Sequence, residues 1–489
     1  MGSQDDFYQT DEEVDHALAS LYVTLRGNYY NWYFLKNALS DDVWTGGGSR
    51  GDNAELEKLN EFTYGTDASM IEGLYSGLYS IIYKANLIID KVTTNTEEKA
   101  RTVAEARVWR AYAYFELTTL WGTSPLVDHL LEPSEYRLPN STAEEKWAYI
   151  ESDLKDAIGS GKLPSKSGVD DNTTGIRITQ ESAEAILGKV YLFEGKYAEA
   201  ADMLNKVIAS GKYALYTGDY SMLLHAQNNN GPESMIELQM RNDTEQAWNQ
   251  FSMRFIMTGW RTDKMNIGGQ AAQEIAMGTY GFFNPRASLY DAFVKAEGKD
   301  GYRLNATIRT YDQMQAYGVT LQSGVSLYGS EGYFNWKTRN LKSDCVMDAP
   351  YFQALQYVDL YIMRYAEVIL LAAEANLQSG NTAKALEQVN MIRSRAKEQP
   401  LASVTLDDIK LEKRLELCWE SVRYQDLVRW GDAPAVLGQQ GAQIPSFSTK
   451  GVEWNFQNDT YGFQDRNMLL PLPLKAVELN TNLTQNTGW

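Results

Sequence analysis

Apolar and polar positions alternate with a helical period at both ends of the chain and lose that period in the middle. From Thr96 to Trp121, apolar residues recur at Val103, Ala106, Trp109, Ala113 and Leu117, which places them on one helical face. Ser141 and Thr142 stand before Glu144 and Glu145, the spacing of a capping box, and predict a helix to about Ile158 that Gly159 stops. Thr405 and Asp408 repeat that spacing, and the pattern predicts one helix from Leu406 to Trp430, ended by Gly431. Further helices are expected near 70–91 and 99–121.

Residues 185–209 align without gaps on residues 370–394, with Gly195 on Gly380, Ala198 on Ala383 and Ala200 on Ala385. Each copy reads as helix, glycine turn, helix, with small residues where the helices cross. That is the logic of tetratricopeptide units, and the neighbouring helices are expected to stack on these two copies. From about Leu215 to Asp348 the period fades and Gly, Asn and aromatic residues rise, as in HAQNNNGPES at 225–234 and GVSLYGSEGYFNWK at 324–337. This stretch reads as loops, short strands and short helices laid over a helical scaffold. The loop at 37–53 has the same character. Loops on a rigid scaffold are the usual carriers of binding residues.

Composition narrows the function. The 489 residues carry 45 Lys+Arg against 64 Asp+Glu, a net charge of −19, which argues against nucleic acid and against adsorption to anionic membrane surfaces. No apolar run approaches the roughly 18 residues of a membrane span. Met1-Gly2-Ser3 reads as a leader, so a native export signal is expected upstream rather than here. Cys345 and Cys418 are 73 positions apart and need not pair; Cys418 falls among Leu411, Leu415 and Trp419 and reads as a buried thiol. His16, His129 and His225 are scattered, and no zinc motif or P-loop occurs. No cofactor is expected, although a structural Ca²⁺ on dispersed oxygen ligands stays open.

GGGSRG at 46–51 fits both a nucleophile-elbow pattern and a dinucleotide fingerprint, but lacks the strand before and helix after that either needs, and reads as a flexible surface loop. Glu367 and Glu374 share a helix face about 10 Å apart, wider than the roughly 5–9.5 Å of glycosidase carboxylate pairs. They are expected to pair with Arg414, Arg423 or Arg429. No catalytic residue is assigned.

Aromatics are the surplus: 12 Trp, 31 Tyr and 15 Phe. Helix-borne rings such as Trp109, Tyr112, Phe115 and Trp147 suit a core. Rings in Gly- and Asn-rich loops suit a sugar, whose C–H face packs on a flat ring while its hydroxyls take polar neighbours. Trp260, Tyr280, Phe282, Phe283, Tyr302, Tyr311, Tyr317, Tyr328, Tyr333 and Trp336 are of this kind, and Asp41, Asp42 and Trp44 form a similar group. The expected ligand set is Asp41, Asp42, Trp44, Trp260, Arg261, Tyr280, Phe282, Phe283, Tyr317, Tyr328 and Trp336. Arg261 and Arg339 are local offsets to the acidic charge.

Five segments in order resemble the SusD/RagB family of outer-membrane glycan-binding lipoproteins of Bacteroidetes. They are AEARVWRAYAYFELTTLWGTSPLV at 104–127, ASLYDAFVKAEGKDGYR at 287–303, RYAEVILLAAEA at 364–375, LEKRLELCWESVRYQDLVRWG at 411–431 and LLPLPLKAVELNTNLTQNTGW at 469–489. The resemblance implies a mainly α fold of tetratricopeptide-like helix pairs, as a single domain over 1–489. The scaffold would cover 10–214 and 352–431, with a tail at 432–489 and an irregular ligand-binding insertion at about 215–351. It also implies an N-terminal lipid anchor, display at the cell surface, no catalysis, and delivery of a glycan to a TonB-dependent channel of the SusC type. The alternatives are a helical glycoside hydrolase and a tetratricopeptide scaffold for protein partners.

Overall fold

A computed structural model describes residues 8–245, 252–346 and 354–489; Met1-Gly2-Ser3 lies outside them. The fold is mainly helical, and the helices start where the sequence supplies caps. Helix α1 (Asp11–Ala38) is capped by Thr10 in a box with Glu13. Next come α2 (Ser69–Lys91), α3 (Glu97–Trp121, capped by Thr96) and α4 (Ala143–Gly159), whose capping box is Thr142 with Glu145.

The two repeat copies form α5 (Gln180–Phe193) with α6 (Tyr197–Ala209), and α7 (Tyr365–Gln378) with α8 (Thr382–Arg395). Gly195 and Gly380 take φ of 76° and 92° at the two turns, a region open to glycine at little cost. Gly188 lets α5 meet α6: a Cβ there would lie 2.5 Å from the Leu204 side chain. The copies join through buried amides. Asn376 Nδ2 donates to Gln388 Oε1 at 3.0 Å, and Gln388 Nε2 donates to Asn205 Oδ1 at 2.8 Å.

The single helix expected over 406–430 is two: α9 (Leu406–Leu417), with the Thr405–Asp408 box, and α10 (Arg423–Trp430), ended by Gly431. Trp419 and Ser421 turn to positive φ between them. This break buries Trp419 and lets its Nε1 donate to the Phe283 carbonyl at 3.1 Å. Cys418 is buried at the break, and both cysteines are free thiols.

The carboxylates of α7 are ion-paired as expected in kind but not wholly in partner. Glu374 accepts from Arg429 at 2.5 and 2.8 Å and from Trp430 Nε1 at 2.9 Å. Glu367 meets Lys189 at 2.8 Å. Arg414 and Arg423 instead hold Asp41 and Asp42. The C-terminal tail packs back on α3: Trp121 Nε1 donates to the Pro471 carbonyl and Asn486 Nδ2 to the Trp121 carbonyl.

The irregular part is built from short antiparallel pairings. Among the described residues, Val43–Gly46 pairs with Phe282–Pro285, Met265–Ile267 with Val319–Leu321, and Ile308–Thr310 with Tyr333–Asn335. Gln443–Ser448 lies between Gly451–Phe456 and Leu327–Tyr328. A second hydrophobic cluster, separate from the scaffold core, gathers Trp260, Met265, Ile275, Met314, Val319, Phe334, Trp336 and Leu341. The glycine run at 46–51 is a fixed turn rather than a flexible loop. Gly47 N donates to the Gly281 carbonyl at 2.8 Å, and a Cβ on Gly46 would lie 2.2 Å from that same oxygen.

Candidate functional site

The irregular half carries an open cleft of about 710 Å³, a volume suited to a small ligand or one unit of a longer one. Its walls are the helices Gly269–Glu274 and Tyr311–Tyr317, the strand residue Arg309, the segment from Trp336 to Ser343, and Asp219, Ser221 and Met222. The helices are locked together at one end. Gly268 N donates to the Gly318 carbonyl at 2.8 Å, and Gly318, at φ 105°, approaches so closely that a Cβ would meet Gly268 O at 2.3 Å. Thr310 caps the second helix in a box with Gln313. Gln313 also donates to Asn305 Oδ1 at 2.6 Å, so its amide is held in place in the wall.

Trp336 anchors the floor. Its ring stacks on Trp260 at 5.7 Å and 27°, and Tyr317 meets it edge-on at 4.9 Å. The guanidiniums of Arg309 and Arg339 lie 4.7 and 4.6 Å from the ring. Trp260 is wholly a support, its Nε1 donating to the Asn335 carbonyl at 2.8 Å. The Tyr317 hydroxyl donates to Glu274 at 2.5 Å, and Gln270 donates to the same carboxylate at 2.8 Å. Burial works to raise Glu274, but those hydrogen bonds and the Arg339 charge hold it below the usual carboxylate range. Burial and Glu274 together push the Tyr317 hydroxyl up. Beneath Arg339, His225 lies 2.5 Å from Asp344, and burial keeps the imidazole below its ordinary value. The cleft thus offers amide and guanidinium donors, and a hydroxyl oxygen as acceptor, around one aromatic edge.

Of the residues expected to touch ligand, the structure brings Tyr317 and Trp336 into this cleft, with Trp260 behind them. It commits several others elsewhere. Asp41 bridges Arg414 and Arg423; burial opposes ionisation, but the two guanidiniums win and hold it at about 2. Asp42 is buried against Arg414, and burial raises it. Neither is a solvated carboxylate awaiting a sugar. Trp44 is not an exposed ring either: Arg286 covers it at 3.6 Å and its Nε1 donates to Glu331 at 2.7 Å. Phe282 and Phe283 belong to the main core, Phe283 lying 5.2 Å from Phe34. The reason differs by ring: Phe282 and Phe283 complete the scaffold core, while Trp260 and Trp336 build the separate core that short strands and loops require. Tyr280 stays at the surface, 39% exposed. Arg261 is half-buried and paired with Asp263 at 2.8 Å and Asp52 at 3.5 Å. Tyr328 is half-buried beside Arg50.

Two features escaped the sequence reading. Arg309, Gln270 and Gln313 come from separate segments, and nothing local marks them. Gly451–Phe456 is an edge strand that presents Val452, Trp454 and Phe456 on one face, with Trp454 49% and Phe456 66% exposed. Trp454 rests on Trp44 at 5.8 Å. The alternation Val-Glu-Trp-Asn-Phe after Lys450-Gly451 was the available signal.

Among the described residues, no group of three or more His, Cys, Asp or Glu could hold a metal ion, and no helix is long and apolar enough to cross a membrane.

A family model described as "SusD family" matches residues 232–489, and one described as "Starch-binding associating with outer membrane" matches residues 3–192. The chain is 27% identical over 450 residues to a SusD-like protein of Bacteroides ovatus, covering 87% of this chain and 76% of that one. It is 25% identical to SusD-like protein P38 of Formosa agariphila, covering 89% and 87%. Among solved structures, a laminarin-binding SusD-like protein superposes with a TM-score of 0.82 at 27% identity, covering 99% of this chain and 100% of that one. Surface glycan-binding protein A from Bacteroides fluxus superposes at 0.78 with 25% identity, covering 98% and 100%.

Proposed function

Because the chain belongs to the SusD family, we propose that it binds a glycan at the cell surface without cleaving it and passes it to a TonB-dependent channel of the SusC type. The observation that carries this reading is the cleft itself. Trp336 and Tyr317 offer apolar edges beside fixed amides and guanidiniums, a chemistry matched to a hydroxyl-rich ring. Relatives named for laminarin and surface-glycan binding support it. The exposed strand with Trp454 and Phe456 would extend contact along a polymer. An outer-membrane location through an upstream lipid anchor fits a family description of association with that membrane.

A hydrolase would need a carboxyl held protonated in the cleft as general acid. Of the two carboxylates lining the cleft, Glu274 is held below its ordinary value with donors already on both oxygens, and Asp219 accepts from the Ser221 amide. The test is affinity electrophoresis of the purified chain against a panel of polysaccharides that includes laminarin and starch, with reducing ends measured in parallel. Retardation by at least one polysaccharide without new reducing ends supports the reading; release of reducing sugar would overturn it. Delivery is tested separately, by copurification of a TonB-dependent channel from solubilised outer membranes.

A further inference from the structure

Many shielded arginines in this chain are neutralised by carboxylates, although among the described residues Arg254, buried against the Tyr33 ring and the Tyr29 hydroxyl, has no ion pair. Arg110, Arg303, Arg364, Arg395 and Arg423 each contact carboxylates. Among the described residues, Arg309 and Arg339 form no ion pair, and both line the open cleft. Arg309 rests on the Trp336 ring with its Nε buried and unpartnered. Arg339 donates to the carbonyls of Ser221 at 2.9 Å and Trp336 at 3.1 Å and to the Met222 sulfur at 3.4 Å, and its Nη1 lies 3.4 Å from His225 Nε2; its Nε is likewise unpartnered. Of the nearby carboxylates, Glu274 is already engaged by Tyr317 and Gln270 and Asp344 by His225, while Asp219, which also lines the cleft, accepts from the Ser221 amide and forms an ion pair with neither arginine.

Holding two partly desolvated guanidiniums 4.6–4.7 Å from one ring, with no direct ion pair and Asp219 acting only at longer range, is costly. An anionic ligand would offset that cost. We infer that the cleft takes an acidic sugar, one whose carboxylate or sulfate is held by Arg309 and Arg339 while its ring packs on the Trp336 and Tyr317 edges. This rests on the cleft being the glycan site. The net charge of −19 does not oppose it at close range, because salt screens distant charges over roughly 8 Å, whereas guanidinium–carboxylate and guanidinium–sulfate contacts are short and directional.

Calorimetry on the full chain would use an oligogalacturonate and its carboxyl-reduced counterpart, a sulfated galactan oligosaccharide and its desulfated counterpart, and laminarin as an unrelated neutral glucan. The inference expects one acidic probe to bind at least about tenfold more tightly than its neutral counterpart. The carboxylate and sulfate arms tell the two sources apart. Arg309→Gln should remove about tenfold of that preference at unchanged melting temperature, and raising NaCl should weaken the acidic probe alone. Equal binding of acidic and neutral partners, or an acidic preference unaffected by Arg309→Gln, would overturn it. Binding of laminarin alone would overturn the inference and leave the glycan reading standing. Binding of none of the five would remove both.

Discussion

The guanidinium of Arg303 lies 3.2 Å from Glu416, joining the irregular half of the molecule to helix α9 of the scaffold. Arg303 also meets Glu297 and Glu412, each at 2.7 Å, while Glu416 receives Arg364 at 3.2 Å and Arg395 at 2.5 Å. All these groups are buried or nearly so. The network fixes where the irregular half sits on the helices.

Glu416→Gln should therefore destabilise the fold by about 3–5 kcal/mol, because it leaves buried guanidiniums short of one negative charge. Thermal or urea unfolding measures this. Burial works to raise Glu416, but the surrounding cations hold its pKa far below the ordinary value. A depressed carboxyl contributes stability that is full above the unfolded value, about 4.3, and is lost as pH falls further. The variant's deficit should shrink when unfolding is repeated well below pH 4.

Lys146 gives the opposite pH signature. It is fully buried on α4, where its ammonium donates to Ser124 Oγ at 2.8 Å, and burial pushes it down to about 7. The folded state resists the proton that the unfolded chain takes up below about pH 10.4, so this residue makes stability rise from about pH 7 toward pH 10. Lys146→Met should stabilise the protein by about 1–3 kcal/mol at pH 6. That gain should fade by pH 10 in paired denaturant curves.

The two glycines of the first repeat should separate by mechanism. Gly195→Ala meets open space but keeps φ at 76°, so it should cost about 1 kcal/mol from the backbone alone. Gly188→Ala adds a Cβ 2.5 Å from Leu204 and should cost roughly 1–3 kcal/mol, more than the helix-propensity gain returns. Urea unfolding of both variants ranks them; an inverted order would mean that α5 and α6 separate without cost.

Binding should divide between cleft and strand. Tyr317→Ala should weaken binding of a short oligosaccharide by roughly 1–3 kcal/mol, by analogy with base stacking on aromatic rings. Trp454→Ala, on an exposed strand, should change stability by less than about 0.5 kcal/mol. It should weaken retention of a long polysaccharide more than binding of a short one, because the strand adds contacts only a polymer reaches. Calorimetry on the oligosaccharide and affinity electrophoresis on the polymer, run on both variants, read the difference.

The helical scaffold was legible in the chain because caps, glycine turns and a 3.6-residue period are local properties. Thr142 with Glu145, Thr405 with Asp408, and Gly195 opposite Gly380 act within a few residues of themselves. Aromatic surplus in the middle was legible too, but not its use. Whether Trp44, Trp260 or Phe283 faces solvent depends on what covers it: Arg286, Trp336 and Phe34, each distant in sequence. Asp41 and Asp42 looked solvated until Arg414 and Arg423 arrived from α9 and α10. The cleft collects Gln270, Arg309, Gln313 and Arg339 from segments that meet only when Gly268 and Gly318 close together. Local preference thus determined the helices and the family likeness. Tertiary packing decided which rings became core and left Arg309 and Arg339 in the cleft without a direct ion pair, because burial and pairing are properties of neighbours that the linear order does not set.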